Sequence, residues 1–461
     1  MRQEGSPVIR LRSWQRRAAR DRRAASRPKW PPAGSSSGLI SAPSVYKLGS
    51  VRRLAFLLAG LALIAAGCGK SSGGDSTGRL VVAVDVPVTG SPYVAQTVRN
   101  GVQLAADNVN GSGGIRVGSR NYRLAVKLYD NHLSARQAVE NMRRALDAGA
   151  VAVVTDGSGV DATWQIANRD YVPIDIAYDG GTGLVDAETR ANVFRIAPTN
   201  RGIAFRLAEY LIPKKLKVAL VSDDSAYGRQ GAADVAHAFS GNPESVATKL
   251  TVPAGETDLS PQILRLRRSG ATALLVWGQP PAIAAVLSAA RTIGWNVPVF
   301  TPPTGADPFV RQQLADHPAW VDGLTFASGR MTAEVGPAPF LNFQSQYEST
   351  YGVDRVGVKN AAGQPVFQPP EFAMYSSDFV HVLVAAITKA GSVDPEKILR
   401  ALNEVATQGA NGDERGFNEH SHEGVVDDDV YFARFKDMVY SPVHDDPLSA
   451  TLPAIPQTSA G

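Results

Sequence analysis

Two apolar runs that each end in a glycine-rich turn, within residues 151–183, constrain the fold of this chain more than any other feature. Val151–Thr155 is a short apolar run, typical of a strand buried on both faces of a parallel sheet. It ends at Asp156–Gly159, and a second run, Val172–Tyr178, ends at Asp179–Gly183. Glycine, serine and aspartate at these points allow sharp turns whose N–H groups face outward.

Turns of this kind are candidates for a ligand site. In open parallel sheets, ligands bind beyond the carboxyl ends of the strands, often at a helix N-terminus. We interpret the two turns as one wall of a small-molecule site. The alternative, that both are ordinary connections between a strand and a helix, is left open by the turns alone.

The distribution of charge argues against a nucleic-acid-binding protein. The chain has 461 residues and a formal net charge of +4, a length that suggests two or three domains. Residues 1–53 hold 13 basic and 2 acidic side chains, so the remainder carries a balance of −7. A mildly acidic folded part gives no support to a nucleic-acid-binding surface.

The amino-terminal residues predict an extension and an export signal rather than a folded domain. Residues 1–50 are rich in Arg, Ser and Pro, which predicts a disordered basic extension that is removed, left untranslated, or used to bind nucleic acid or lipid. Arg52 and Arg53 precede the apolar run Leu54–Ala66. That run is too short to span a bilayer, which needs about 20 residues, but suits a signal-peptide core. We assign residues 51–68 to a signal peptide.

The end of this run resembles a bacterial lipoprotein lipobox. Small residues precede Cys68, the only cysteine of the chain, although Ala65 stands where leucine is commoner. A chance cysteine after an ordinary signal is the alternative. The resemblance implies that Cys68 carries a lipid anchor and that the protein lies on the extracytoplasmic face of the cell membrane. Residues 69–78 then form a flexible tether that spans about 17 Å as a coil.

From Arg79 onward, apolar strand-like runs alternate with amphipathic helical runs, which predicts two α/β lobes with parallel sheets. The predicted strands are Leu80–Val84, Leu124–Tyr129, Val151–Thr155, Val172–Tyr178, Lys217–Ser222, Ala271–Trp277, Val297–Thr301 and Val430–Phe435. Gly352–Pro370 is long and polar and predicts a surface insertion. Residues 442–461 are rich in proline and predict a frayed tail.

Several motifs, in order, resemble those of type I periplasmic solute-binding proteins of the branched-chain amino acid, urea and amide uptake group. The motifs are Pro87-x-Thr89-Gly90, Gly101-Val102-x-Leu104-Ala105-x-Asp107-x-x-Asn110, Gly113-Gly114-Ile115, Gly157-Ser158-Gly159, Val193-Phe194-Arg195, Tyr227-Gly228 and Phe343-x-x-x-Tyr347-x-x-x-Tyr351-Gly352. The resemblance implies two Rossmann-like lobes joined by a hinge that the chain crosses three times. The implied lobes are residues 79–198 with 328–413, and residues 199–327 with 414–441. The implied crossings are Ala197–Thr199, Ala327–Gly329 and Asp413–Gly416.

The resemblance also implies a set of ligand contacts. The Gly157–Gly159 turn matches the family's carboxylate-binding loop, and Tyr227 matches an aromatic residue at the pocket edge. The implied ligand-binding residues are Tyr93, Ser158, Gly159, Tyr178, Thr182, Asn200, Tyr227, Gln279 and Thr304.

Acidic partners for a ligand ammonium group are missing from two expected positions. Asn200 stands where amino-acid binders of the family carry an acid, and no second acid is found around Gln279 or Pro303-Thr304. A buried ammonium without such partners is costly. A neutral amide, a urea-like solute or an organic acid is therefore favoured over an α-amino acid.

No motif predicts an enzyme. Asp156 and Val160 occupy the glycine positions of a G-x-S-x-G elbow. His420 and His422 could bind a divalent metal, or they could lie in a solvated turn before the last strand. We therefore predict no catalytic residue, cofactor or metal.

The predicted function is delivery of a small polar solute to an ABC importer by lobe closure. The predicted partners are the ligand, the permease and ATPase subunits, and the membrane through the lipid anchor, with the protein itself a monomer. The alternative is a ligand-sensing domain that passes lobe closure to a signalling partner.

Overall fold

The computed structural model describes residues 77–329, 338–446 and 448. The predicted basic extension, the signal peptide with Cys68 and all but the last two residues of the predicted tether lie outside this range. None of the helices within it is long and apolar enough to cross a membrane.

Strands and helices alternate through most of the described chain. The strands are β1 Gly78–Val86, β2 Ile115–Val117, β3 Arg120–Asp130, β4 Ala150–Thr155, β5 Ile174–Ile176, β6 Val193–Arg195, β7 Val218–Asp223, β8 Val246–Val252, β9 Ala273–Trp277, β10 Val299–Thr301, β11 Leu324–Ser328, β12 Asp354–Lys359, β13 Pro365–Gln368, β14 Ala406–Gln408, β15 Glu414–Gly416, β16 Tyr431–Lys436 and β17 Val439–Pro442. The helices are α1 Pro92–Gly111, α2 Ala135–Asp147, α3 Val160–Arg169, α4 Asn200–Leu211, α5 Ala226–Ala238, α6 Ser260–Arg267, α7 Pro280–Thr292, α8 Pro308–Gln313, α9 Ala338–Tyr351, α10 Glu371–Ala390 and α11 Pro395–Leu402.

Two large sheets, each mostly parallel, organise these elements. The first has the order β2-β3-β1-β4-β5-β6, and only β2 runs antiparallel to its neighbour. The second has the order β17-β16-β11-β10-β9-β7-β8. In it, β16 runs antiparallel to both of its neighbours, β11 and β17. Every residue of β4 and of β9 is buried, which accounts for their unbroken apolar runs. The prediction of two α/β lobes is confirmed.

Helices from distant parts of the sequence cover the first sheet. Helix α10 packs against α1, where a side chain at Gly101 would lie 2.1 Å from the carbonyl oxygen of Ala373. Ser376 Oγ donates a hydrogen bond to the Val98 carbonyl across the same contact, at 3.0 Å. Through this close approach, the C-terminal helix α10 lies in the same lobe as the N-terminal strand β1.

The chain passes between the two lobes five times: near residues 197–200, between residues 329 and 340, on either side of the β12–β13 hairpin, and near residues 426–430. Val425 packs in the core of the first sheet, and Val430 packs in that of the second. The implied third crossing, Asp413–Gly416, instead contains β15, which pairs with β14 in a small hairpin.

The prediction of a surface insertion at Gly352–Pro370 is wrong. This segment forms the β12–β13 hairpin, and Val356, Val358 and Val366 are buried in the core of the second lobe. Alternate residues of the hairpin face solvent, which is why its composition looks polar.

The predicted frayed tail begins with ordered, buried residues. Pro442 ends β17, and Val443 is buried beside α4. The Asp446 carboxylate, also buried, accepts hydrogen bonds from Arg206 Nη2 at 3.0 Å. An ion pair that is distant in sequence therefore holds this segment in place through residue 446.

Candidate functional site

A small cavity lies between the two sheets, on the side where their strands end. It encloses about 10 Å³. It is lined by Tyr93, Tyr178, Pro303, Ala306, Asp307, Gln368, Glu371 and Phe372. A space of this size holds at most one water molecule, so no larger molecule fits in it in this arrangement of the lobes.

Tyr93 and Tyr178, both predicted site residues, form one side of this cavity. Tyr93 lies in the first turn of α1, and the Tyr178 ring meets the edge of the Phe372 ring at a centroid distance of 4.5 Å. The Tyr93 hydroxyl is buried beside the Gln368 side chain, which also lines the cavity. Burial raises the pKa of both phenols well above the usual value, so each remains a hydrogen-bond donor at neutral pH.

Tyr227 and Thr304 contribute from the second lobe. Tyr227 lies in the first turn of α5, with its ring centroid 6.1 Å from that of Trp277. Burial raises the pKa of Tyr227, and the charge of Asp179, which belongs to the opposite lobe, adds to the rise. The buried Thr304 hydroxyl donates to the Gly278 carbonyl at 2.9 Å and ties together the ends of β9 and β10.

The first predicted wall, residues 156–159, turns around a buried carboxyl group. Asp156 accepts hydrogen bonds from Asn131 Nδ2 at 2.7 Å and from the Ser158 amide at 3.3 Å. Burial raises the pKa of Asp156, and the bond from Asn131 opposes that rise. The Ser158 side chain is exposed. At Gly159 a Cβ atom would lie 2.3 Å from the Cβ of Ala138, so packing of α3 against α2 requires glycine there.

An arginine that the sequence motif did not single out as functional holds the second wall, residues 179–183. Arg195 Nη1 donates to the carbonyls of Asp179 and Gly181 at 3.0 and 2.9 Å. The same guanidinium group binds both carboxylate oxygens of Glu423, at 2.8 and 2.5 Å. Four hydrogen bonds from Arg195 thus hold this turn next to Glu423, which lies 228 positions from Arg195 in sequence.

The remaining predicted residues lie at the edge of the cleft. The exposed Thr182 contributes its carbonyl, which accepts a hydrogen bond from Gln230 Nε2 of the other lobe at 3.1 Å. Asn200 is buried at the start of α4, and its backbone N–H donates to the Gly180 carbonyl at 2.8 Å. Gln279 is exposed before the first residue of α7.

Two acids line the cavity that sequence reasoning did not place there. Asp307, three residues after Thr304, caps α8 by accepting from the Phe309 amide at 2.8 Å. Glu371 is 2% exposed and accepts from the Gly329 amide at 3.0 Å. Burial raises the pKa of Glu371 to about 8. The prediction that no acid stands around Pro303-Thr304 therefore overlooked Asp307, which lines the same cavity as Pro303.

For both acids, the local sequence pattern indicated a role other than lining a cavity. Asp307 precedes Pro308, a pattern that marks the start of a helix. Glu371 follows the segment that composition assigned to a surface insertion. Only the long-range packing of the β12–β13 hairpin brings Glu371 to the cleft.

The two histidines differ in burial. His422 is buried, its Nδ1 lies 2.9 Å from the Val193 carbonyl oxygen, and its ring stacks on Phe194 at 4.1 Å. His420 is exposed. Within the described ranges no group of three His, Cys, Asp or Glu side chains could hold a metal ion.

Two parallel-dominated lobes whose strand ends face each other across a cleft define a class of two-lobe ligand-binding proteins. The family model described as periplasmic binding protein matches residues 80–438. The chain belongs to this family, which consists of extracytoplasmic solute-binding proteins and not of enzymes.

Named relatives share the family over most of their length. The chain is 25% identical over 356 residues to a Leu/Ile/Val-binding protein homolog of Brucella melitensis, covering 72% of this chain and 84% of that protein.

Two solved structures show the same fold with different ligands. One is a branched-chain amino acid transporter substrate-binding protein from Streptococcus pneumoniae in complex with isoleucine. It has a TM-score of 0.66 and 19% identity, and the match covers 78% of this chain and 97% of that one. The other is an ABC transporter solute-binding protein from Rhodopseudomonas palustris in complex with 3,4-dihydroxybenzoic acid. It has a TM-score of 0.64 and 16% identity, with 79% and 96% covered. The type I periplasmic binding protein fold is confirmed.

Proposed function

We propose that this protein binds a small polar solute between its lobes and delivers it to the permease of an ABC importer, which the importer's ATPase subunits drive. The observation that carries the proposal is the meeting of Tyr93 and Tyr178 from one lobe with Asp307 from the other around one cavity. Contacts from both lobes stabilise the closed state only when a ligand completes them.

The proposed ligand contacts combine the cavity with its rim. Tyr93, Tyr178, Tyr227, Asn200 and Thr304 would contact the solute in the closed state. Ser158, Gly159, Thr182 and Gln279 would meet it as the lobes close, since three of these four are exposed at the mouth of the cleft.

The proposed location is the extracytoplasmic face of the cell membrane. Cys68 would carry the lipid, and residues 69–76 would let a monomer reach the permease. The support is the lipobox-like sequence, together with membership of a family of extracytoplasmic binding proteins.

A thermal-shift screen tests the solute-binding function. Residues 69–461 would be unfolded and refolded to remove bound solute, then heated with amino acids, amides, urea and small organic acids. A ligand at 100 times its dissociation constant adds about 2.7 kcal/mol to the free energy of unfolding. At least one compound should raise the melting temperature. A flat response across the panel would contradict the proposal.

A further inference from the structure

A second, open cavity of about 740 Å³ lies within the second lobe, away from the cleft. Its wall includes Pro298 and Gly323, which stand immediately before β10 and β11. The cleft lies beyond the opposite ends of these strands, where Pro303 follows β10. This distal cavity is therefore at the far edge of the second sheet and is separate from the proposed solute site.

The charged side chains of the distal cavity leave a positive balance. Three cations and two acids line it, a balance of +1, and they are Lys214, Arg291, Arg434, Asp322 and Asp445. The Asp445 carboxylate is already engaged, because it accepts from Lys214 Nζ at 2.6 Å and from the Tyr210 hydroxyl at 3.0 Å. Lys214 is thus paired, and the two arginines are the groups with capacity left.

The guanidinium group of Arg434 makes no hydrogen bond to any residue that the structure describes. Its Nε atom is buried without a partner. Its Nη2 atom lies 3.6 Å from the Asp445 carboxylate, which is too far for a hydrogen bond. Because a buried donor without an acceptor is costly, a ligand oxygen beside Arg434 would gain the bond that the protein does not supply.

Arg291 lines the same cavity and is only partly satisfied. Its Nε donates to the Trp320 carbonyl at 3.4 Å, and its Nη1 donates to the carbonyls of Trp295 and Val297 at 3.0 and 3.2 Å. These bonds give Arg291 a structural role at the end of α7. Its Nη2 has no partner among the described residues, and within them Arg291 forms no ion pair.

Aromatic rings supply an apolar surface beside these donors. Tyr210 and Phe300 are buried, with ring centroids 5.8 Å apart, and both line the distal cavity. The half-buried Trp320 also lines it, and its ring stacks on His317 at 4.0 Å. Sites for small organic molecules have volumes of about 300–1,000 Å³ and combine such a surface with a few polar groups. The distal cavity has both properties.

We propose that the distal cavity is a second binding site, which takes an aromatic carboxylate. The carboxylate would accept hydrogen bonds from Arg434 and Arg291, and the ring would pack against the aromatic wall. Guanidinium groups match the planar geometry of a carboxylate. The balance of +1 suits one carboxylate, whereas a doubly charged phosphate would leave excess negative charge beside Asp445. The proposal goes beyond the solute-binding function, because it does not involve the cleft.

Three probes test the site by calorimetric titration of the full chain in detergent. They are 2-naphthoate, its neutral counterpart 2-naphthamide, and acetate, which lacks the ring. A titration of each probe into detergent alone is subtracted. Because the site requires both the charge and the ring, 2-naphthoate should bind at least tenfold more tightly than either other probe.

Arg434→Gln tests the guanidinium contact. The variant should bind 2-naphthoate at least tenfold more weakly, since a hydrogen bond between two charged groups is lost. Its melting temperature without ligand should not fall, because Arg434 makes no hydrogen bond to the described residues. Lys436→Gln is the matched control: Lys436 lies two positions further along β16, is exposed, and is not part of the cavity wall. This variant should change neither quantity.

Tryptophan signals locate the bound probe. Trp320 lines the distal cavity, whereas Trp277 lies beside Tyr227 at the cleft. In spectra of the protein with ¹⁵N-labelled tryptophan, 2-naphthoate should shift the indole N–H signal of Trp320 and leave that of Trp277 in place. Trp320→Phe and Trp277→Phe assign the two signals.

Four results would overturn the proposal. They are no binding of 2-naphthoate, equal binding of 2-naphthamide, full affinity in Arg434→Gln, and a shift of the Trp277 signal without one of Trp320. Binding that appears only after residues 449–461 are removed would also reject it, because the chain itself would then fill the cavity. Failure of the cleft to bind any solute would leave all of these measurements unchanged.

Discussion

Replacing Arg195 should cost more stability than replacing any exposed arginine, because its guanidinium group ties the second wall of the cleft to a distant segment. Its side chain is 3% exposed and that of Glu423 is 27% exposed. Arg195→Met would leave one buried carbonyl, one partly buried carbonyl and one partly buried carboxylate without their donors. Removing one partner of a buried pair costs about 3–5 kcal/mol, and partial exposure of Glu423 places this case near the lower end, about 3 kcal/mol.

The chain offers a matched control in the same lobe. Arg190 Nη1 lies 2.7 Å from the Asp161 carboxylate, whose side chain is 72% exposed, and it donates to the Leu184 carbonyl at 3.3 Å, with its guanidinium group 5.5 Å from the centroid of the Trp164 ring. An exposed pair of this kind contributes at most about 1 kcal/mol. Urea unfolding of residues 69–461, followed by tryptophan fluorescence, should show a larger fall in the midpoint for Arg195→Met than for Arg190→Met.

A double-mutant cycle with Glu423→Gln isolates the pair itself. We expect a coupling free energy of about 1–3 kcal/mol between positions 195 and 423. The reasoning fails if Arg195→Met and Arg190→Met lose the same stability, or if the coupling is near zero.

Two further predictions concern pH and location. Because the folded-state pKa of Glu371, about 8, exceeds its ordinary value of 4.5, the folded protein binds more protons, and stability should fall as pH rises through this window. In urea titrations, Glu371→Gln should remove on the order of 3 kcal/mol of the stability that the protein loses between pH 5 and 8. The control Glu419→Gln, on an exposed side chain, should remove none of that loss. An unchanged pH dependence of stability in Glu371→Gln would contradict the burial argument. Cys68→Ala should move the protein from the membrane fraction to the soluble fraction after cell lysis, and retention in the membrane would reject the lipid anchor.

Sequence periodicity predicted the parts of the fold that local burial determines. The buried runs at β4 and β9 are strands because both faces of a parallel sheet are covered. Ser134 stands three residues before Gln137, a pattern that marks the start of a helix, and its hydroxyl accepts from the Gln137 amide at 3.4 Å at the start of α2.

Long-range packing set the parts that periodicity did not predict. The β12–β13 hairpin alternates buried and exposed residues over only a few positions, too few to separate from a polar loop. Short strands such as β2 and β17 depend on pairing with a neighbour rather than on their own composition.

The same distinction between local and long-range signals applies to the residues of the candidate site. Tyr93 and Tyr178 were predicted by resemblance and line the cavity. Glu371 was missed because its place depends on the connection from the second lobe back to the first. Arg195 appeared only within a motif, and its partner Glu423 lies too far away in sequence to be paired by spacing.

A reversible bridge across the mouth of the cleft tests the central claim, that a solute enters and leaves through movement of the lobes. Thr182 and Gln230 are in contact there, so Thr182→Cys and Gln230→Cys would be joined by a short reducible thiol reagent in residues 69–461, which contain no cysteine. The solute with the largest thermal shift should fail to bind when the bridge precedes it and should resist dialysis when the bridge follows it. Reduction should reverse both effects, and the single Thr182→Cys variant should show neither. Equal binding rates before and after bridging would contradict the account.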